Sequence, residues 1–71
     1  MERKIVVSSN IRSIGYDSFY SRLEVEFLNG SIYQYFYVPS DLYIGLMNAG
    51  SHGEFLDVYI KKGGYAYIQI R

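Results

Sequence analysis

The sequence predicts an α+β domain, an antiparallel sheet of three to four strands with two short helices packed on one face. Three observations carry this. From Tyr20 to Phe27 the residues alternate, with Leu23, Val25 and Phe27 on one side and Arg22, Glu24 and Glu26 on the other, the pattern of a strand with one wet face. Asn29-Gly30 then turns the chain into an aromatic run, Ser31 to Val38, which makes a hairpin. Beyond Pro39 the apolar spacing becomes helical, and two helix starts with their stops fit before Gly63-Gly64.

The elements follow in order. Residues 5 to 9 read as a lead-in strand or extended segment, and Ile11 to Asp17 as a first strand with Ile14 and Tyr16 on one face. The Asn29-Gly30 turn allows two registers. A two-residue turn sets Phe27 against Ile32, buries Gln34 and puts the tyrosines outside with the charges. A three-residue loop with Gly30 left-handed sets Phe27 against Ser31, so that Tyr33, Tyr35 and Tyr37 join the inner face and Gln34 shares the side of Glu24. The second separates polar from apolar residues better and is preferred; it leaves Ile32 and Phe36 to find cover elsewhere.

Val38-Pro39 ends the strand, because proline donates nothing to a ladder and holds its predecessor extended. Ser40 and Asp41 suit a helix start, Leu42, Leu46 and Met47 share a face, and Asn48-Ala49-Gly50 is the stop. Ser51-His52-Gly53-Glu54 matches a capping box, opening a second helix through about Lys62 with Phe55, Val58 and Tyr59 inward. Lys61 and Lys62 suit the helix C-terminus, Gly63-Gly64 ends it, and Tyr65 to Ile70 alternates as a closing strand.

Residues 1–71 make one domain, and a chain this short buries only about 60% of the surface its unfolded form exposes. With no cysteine there is no disulfide staple, thiol nucleophile or cysteine-based zinc site, and a reducing, cytoplasmic setting is expected. No apolar run approaches the ~20 residues of a membrane span, and the start Met1-Glu2-Arg3-Lys4-Ile5 lacks the long apolar stretch and small-residue cleavage site of a signal peptide, so neither is expected. Seven Lys/Arg balance seven Asp/Glu, whereas a free-standing nucleic-acid binder usually carries a basic excess. The charges are uneven: Arg3, Lys4 and Arg12 stand near the start, Lys61, Lys62 and Arg71 near the end, and five of the seven acids lie between Glu24 and Asp57. If the ends meet, a basic patch survives neutrality.

Val7-Ser8-Ser9-Asn10-Ile11, Gly15-Tyr16-Asp17, Tyr33-Gln34-Tyr35, Val38-Pro39, Ala49-Gly50-Ser51-His52-Gly53-Glu54-Phe55 and Ile60-Lys61-Lys62, in this order, resemble a KTSC domain. The resemblance spans nearly the whole chain. It implies a small bacterial or phage domain of unestablished function, also found at the C-terminus of some lysyl-tRNA synthetases, and that fusion points toward RNA. Such domains commonly have a basic residue between the two tyrosines and an arginine after the isoleucine of the second helix. Gln34 and Lys61 stand at those positions here, so the charge beside the tyrosines is missing.

Tyr33 and Tyr35 are either a platform on which unpaired bases stack, at roughly 1 to 3 kcal/mol per base, or core that packs the helices onto the sheet. Tyr65 and Tyr67 carry the same two readings. Arg12, Lys61 and Lys62 are the candidate phosphate contacts beside the tyrosines. Ser51, His52 and Gly53 at a helix start are a candidate anion site, set against plain capping, with Glu54 already occupying the position electrostatically. His52 has no second histidine or cysteine to complete a metal set, and the aspartates are too scattered for acid/base work, so neither metal, cofactor nor catalysis is expected. The expected role is a non-catalytic binding module for RNA, or alternatively for a protein or a second copy through Ile32, Phe36 or an open sheet edge.

Overall fold

In the computed structural model, which describes residues 1–71, the strands β1 (Arg3–Ile5), β2 (Ile11–Asp17), β3 (Arg22–Phe27), β4 (Ile32–Tyr35) and β5 (Tyr67–Gln69) form one antiparallel sheet in chain order. The α+β class stands, with five strands in place of three to four. Both ends of the chain supply the difference: the lead-in strand lies earlier than residues 5 to 9 and pairs with β2, and the closing strand pairs with β4. Helix α1 (Ser40–Asn48) and helix α2 (His52–Phe55), which continues as a π-helical turn over Leu56–Lys61, cover one face.

The hairpin takes the three-residue loop. Leu23 faces Tyr35, Val25 faces Tyr33 and Glu26 faces Ile32, while the Phe27 amide donates to the Ser31 carbonyl at 2.9 Å. Gly30 has a φ of +93°, the left-handed region that an L side chain resists. The inner face therefore carries Leu23, Val25, Phe27, Tyr33 and Tyr35. Tyr37 does not join it. With a φ of 59° it turns the chain out of the strand and is 82% exposed, and the next residue, Val38, returns to the core.

The core joins Ile11, Ile14, Leu23, Val25, Tyr35 and Val38 to Leu46, Leu56 and Ile60 of the helices. Tyr16 stacks on Tyr43 at 4.8 Å and donates its hydroxyl to the Val38 carbonyl at 2.5 Å. The second helix buries Leu56 and Ile60, one above the other at i and i+4. Val58 and Tyr59, expected inward, are about half exposed. No helix is long and apolar enough to cross a membrane.

The outer face is wet only in part. Glu24 is 5% exposed, paired with Arg3 and accepting from Gln34 Nε2 at 2.8 Å. Beside it Ser13 donates to Glu26 Oε1 at 2.8 Å and Arg71 reaches Glu26 Oε2 at 2.9 Å. Ser13, then Arg3, Arg71 and Arg12, hold the Glu26 carboxyl below its usual pKa against the opposing pull of burial. Ile32, expected to lack cover, is 5% exposed, because the C-terminal residues pair alongside it.

Candidate functional site

A cleft of about 380 Å³ opens where the β3–β4 loop, the end of the π-helical turn and β5 meet on the inner side of the sheet. Its apolar wall is Phe27, Tyr33, Tyr35 and Tyr67, and its polar groups come from Asn29, Ser31 and Lys61. The rings touch in a chain: Phe27 stands edge-on to Tyr33 at 5.8 Å, Tyr33 lies 6.4 Å from Tyr35, and Tyr67 is 5.9 and 5.8 Å from the two. Strand alternation places them, since Tyr33 and Tyr35 share a face and Tyr67 lies directly across from Tyr35.

The two readings of the tyrosines divide between them. Tyr35 is 4% exposed and forms the floor of the cleft as core, whereas Tyr33 is half-buried and shows one side. Tyr67, 60% exposed, offers the most open ring. Burial first, then the neighbouring Tyr33 and Tyr67, pushes the Tyr35 hydroxyl up to about 12, so it stays a proton donor at neutral pH.

Lys61 is the one candidate cation that reaches the rings. Its ammonium lies 5.1 Å from the centroid of Phe27, over the ring face, and has no carboxylate partner. The wide turn over Leu56–Lys61, closed by the Lys62 amide on the Asp57 carbonyl at 3.1 Å, buries Ile60 and leaves Lys61 at the cleft. Such turns occur frequently at functional sites. Lys62 instead pairs with Asp57 at 3.3 Å. Arg12 acts on Glu26, on the opposite face of the sheet, and Arg3 and Arg71 also pair with acids there. The cations from the two ends therefore do not gather around the tyrosines.

Ser51, His52 and Gly53 are engaged in building the fold. Ser51 Oγ accepts the Glu54 amide at 3.2 Å, and His52 Nδ1 donates to the Leu46 carbonyl at 2.8 Å, capping the preceding helix. A Cβ at Gly53 would run into the side chain of Asn10, so the glycine permits a close approach between the helix start and the β1–β2 connection. Glu54 lies in a shallow hollow with Ser51 and sets a carboxylate where an anion would sit.

Sequence reasoning found Tyr33, Tyr35 and Lys61 and passed over Phe27, Asn29 and Ser31 as site residues. The signal was present, because the three-residue loop sets Phe27 opposite Ser31 and both on the face of Tyr33. Tyr67 carries with Tyr65 the same two readings, and what the sequence did not supply was the register of β5 that sets it across from Tyr35.

The sequence profile of the KTSC domain matches residues 7–65. An uncharacterised protein from Stutzerimonas stutzeri (strain A1501) is 39% identical over 70 residues, 99% of each chain. A crystal structure of a KTSC domain protein from Yersinia pestis superposes with a TM-score of 0.90 at 41% identity, covering 99% of this chain and 97% of that one. With the profile and both relatives spanning nearly its whole length, the chain belongs to the KTSC domain family.

Proposed function

We propose that the domain is a non-catalytic module that binds single-stranded RNA weakly, taking one unpaired base into the tyrosine-lined cleft. The observation that carries this reading is the meeting of Lys61 with Phe27, Tyr33 and Tyr67 in one hollow of about 380 Å³. Exposed ring faces supply stacking of roughly 1 to 3 kcal/mol per base, and an unpaired ammonium beside them supplies a phosphate contact. One base and one cation amount to a dissociation constant on the order of 1 mM or weaker unless more of the strand is held. The test is an amide-shift titration of the labelled chain with short single-stranded RNAs at low and then physiological salt. Shifts confined to Asn29–Tyr35, Lys61 and Tyr67 that shrink as salt rises are expected; a spectrum unchanged by any RNA refutes the reading.

A second reading, docking of a protein partner, rests on a different surface. Phe19, Tyr20 and Tyr37 are 84%, 60% and 82% exposed, and the Arg22 guanidinium lies over the rings of Tyr20 and Phe36 at 5.4 and 5.1 Å. Exposed aromatic residues around an arginine are the composition of interface hot spots. Ile32 is too buried to serve as the anchor expected from the sequence, and Phe36 is half covered.

A further inference from the structure

Asp17 stands directly across the ladder from Arg22, the position from which an acid would ordinarily neutralise it. Its carboxylate is turned instead into the β2–β3 loop, where Oδ1 accepts the Phe19 and Tyr20 amides at 2.9 and 3.3 Å. The side-chain hydrogen bonds and ion pairs made by arginines belong to Arg3 and Arg71, so the N–H donors of Arg22 are free. The guanidinium is held in place by the rings of Tyr20 and Phe36, contacts that use none of those donors.

The surroundings of this arginine are built into the fold. Ser21 and Tyr37 are the two non-glycine residues with a left-handed backbone, at φ of 55° and 59°. They lie beside each other, because the Val38 amide donates to the Ser21 carbonyl at 2.9 Å, and the fully buried Val38 anchors both to the core. L side chains resist this conformation, and residues held in it cluster at binding sites. Phe19, Tyr20 and Tyr37 are thereby carried into solvent around one unpaired cation, an arrangement set before any partner arrives, so little ordering is lost on binding.

A guanidinium only donates and keeps its charge at physiological pH, so it takes an anion and refuses a cation. The rings beside it offer area to apolar side chains. Arg22 is the only basic residue of the patch, and its neighbours along and across the sheet are Glu24 and Asp17. A single carboxylate finds its partner here, whereas a nucleic acid, with a charge on every nucleotide, finds no second cation.

We infer that this patch docks a protein segment carrying one aspartate or glutamate among apolar residues, its carboxylate on Arg22 and its apolar side chains on Phe19 and Tyr37. This rests on the protein-docking reading above and is independent of the cleft around Tyr33.

The experiment selects from a displayed library of random peptides against the full chain, with Arg22→Gln as the second target, and follows the enriched peptides by amide-shift titration. Peptides with an acidic residue beside aliphatic or aromatic ones are expected, shifting the amides of Phe19–Arg22 and Phe36–Val38 and leaving those of Tyr33 and Lys61 unmoved. Arg22→Gln should weaken them about tenfold, as should replacing the peptide's acid by its amide. Arg22→Lys should restore only part, because an ammonium lacks the two-pronged geometry. Phe19→Ser should also weaken binding; Phe19 is exposed, so an unchanged thermal midpoint separates lost docking from lost fold. Enriched peptides that lack an acid yet shift the same amides, or that bind Arg22→Gln as tightly, overturn the carboxylate while protein docking stands. No enrichment on this patch overturns both. Hexauridylate shifting these amides, or self-association in sedimentation that Arg22→Gln abolishes, gives the patch to a nucleic acid or to a second copy and overturns the inference as well.

Discussion

Gly30 holds a φ of +93° in the three-residue loop, with open space where a Cβ would stand, so the objection to a side chain there is backbone strain alone. Gly30→Val should cost about 1 to 3 kcal/mol, since a β-branched residue is poorly suited to the left-handed region. Gly50 also has open space around its Cβ position and no positive φ, so Gly50→Ala should shift stability by no more than about 0.5 kcal/mol. Paired thermal melts check this: at about 4 to 8 °C per kcal/mol for a domain of this size, only the first variant should melt visibly early. Equal melting would contradict the left-handed assignment. The Tyr35 hydroxyl carries a second test at this scale. Its ordinary value is 10.0 and the fold raises it to about 12. Below pH 10 both states keep the proton, and the group has no pH effect on stability; between about 10 and 12 only the unfolded chain ionises, so stability falls as pH rises. The loss should reach roughly 1 to 3 kcal/mol. Denaturant titrations at pH 9 and 11.5 should show Tyr35→Phe losing less stability than the native chain over that interval.

Among the elements, β3 was the most legible in the sequence, because Leu23, Val25 and Phe27 alternate with charges and only one face can be buried. The hairpin register was legible for the same reason: only the longer loop puts Gln34 beside Glu24, where it donates to the carboxylate at 2.8 Å. Two features were hidden. A π-helical turn adds a residue to one turn of the second helix, so the inward stripe moves to Leu56 and Ile60, and a constant period of 3.6 points to Val58 and Tyr59 instead. The left-handed Tyr37 likewise breaks the strand period one residue before Val38, and nothing in Phe36-Tyr37-Val38 announces it. Burial then ranks the truncations. Leu23 is fully buried at the centre of the sheet, and Leu23→Ala should cost about 2 to 5 kcal/mol. Phe27 is half-buried at the rim of the cleft, and Phe27→Ala should cost less while removing the ring that Lys61 covers. Denaturation midpoints for the two variants check the order, and a larger loss for Phe27→Ala would contradict the placement of the core.

For the whole molecule, the balance of seven basic and seven acidic residues says how little charge is available to a ligand, and the ion pairs say where it remains. Arg3 and Arg71 are tied to Glu24 and Glu26 on the outer face and Lys62 to Asp57, while Lys61 alone stands in the cleft. The site was half legible in the sequence for this reason: residue types named the tyrosines and lysines, but which cation reaches which ring depends on the turn of a helix and the pairing of a fifth strand. The consequence is a numerical expectation for RNA binding. Each phosphate neutralised on a single strand contributes about −0.7 to the slope of log K against log salt. A patch joining both basic ends would give a slope near −3 or steeper, whereas one ammonium in the cleft gives roughly −0.7. Titrations of hexauridylate at three salt concentrations should return the shallow slope. Lys61→Gln should bring it close to zero and weaken binding, and Lys62→Gln should leave both slope and affinity as they are, because the Lys62 charge is balanced by Asp57 outside the cleft. A steep slope that Lys62→Gln reduces would move the interface away from the tyrosines and onto the end of the helix.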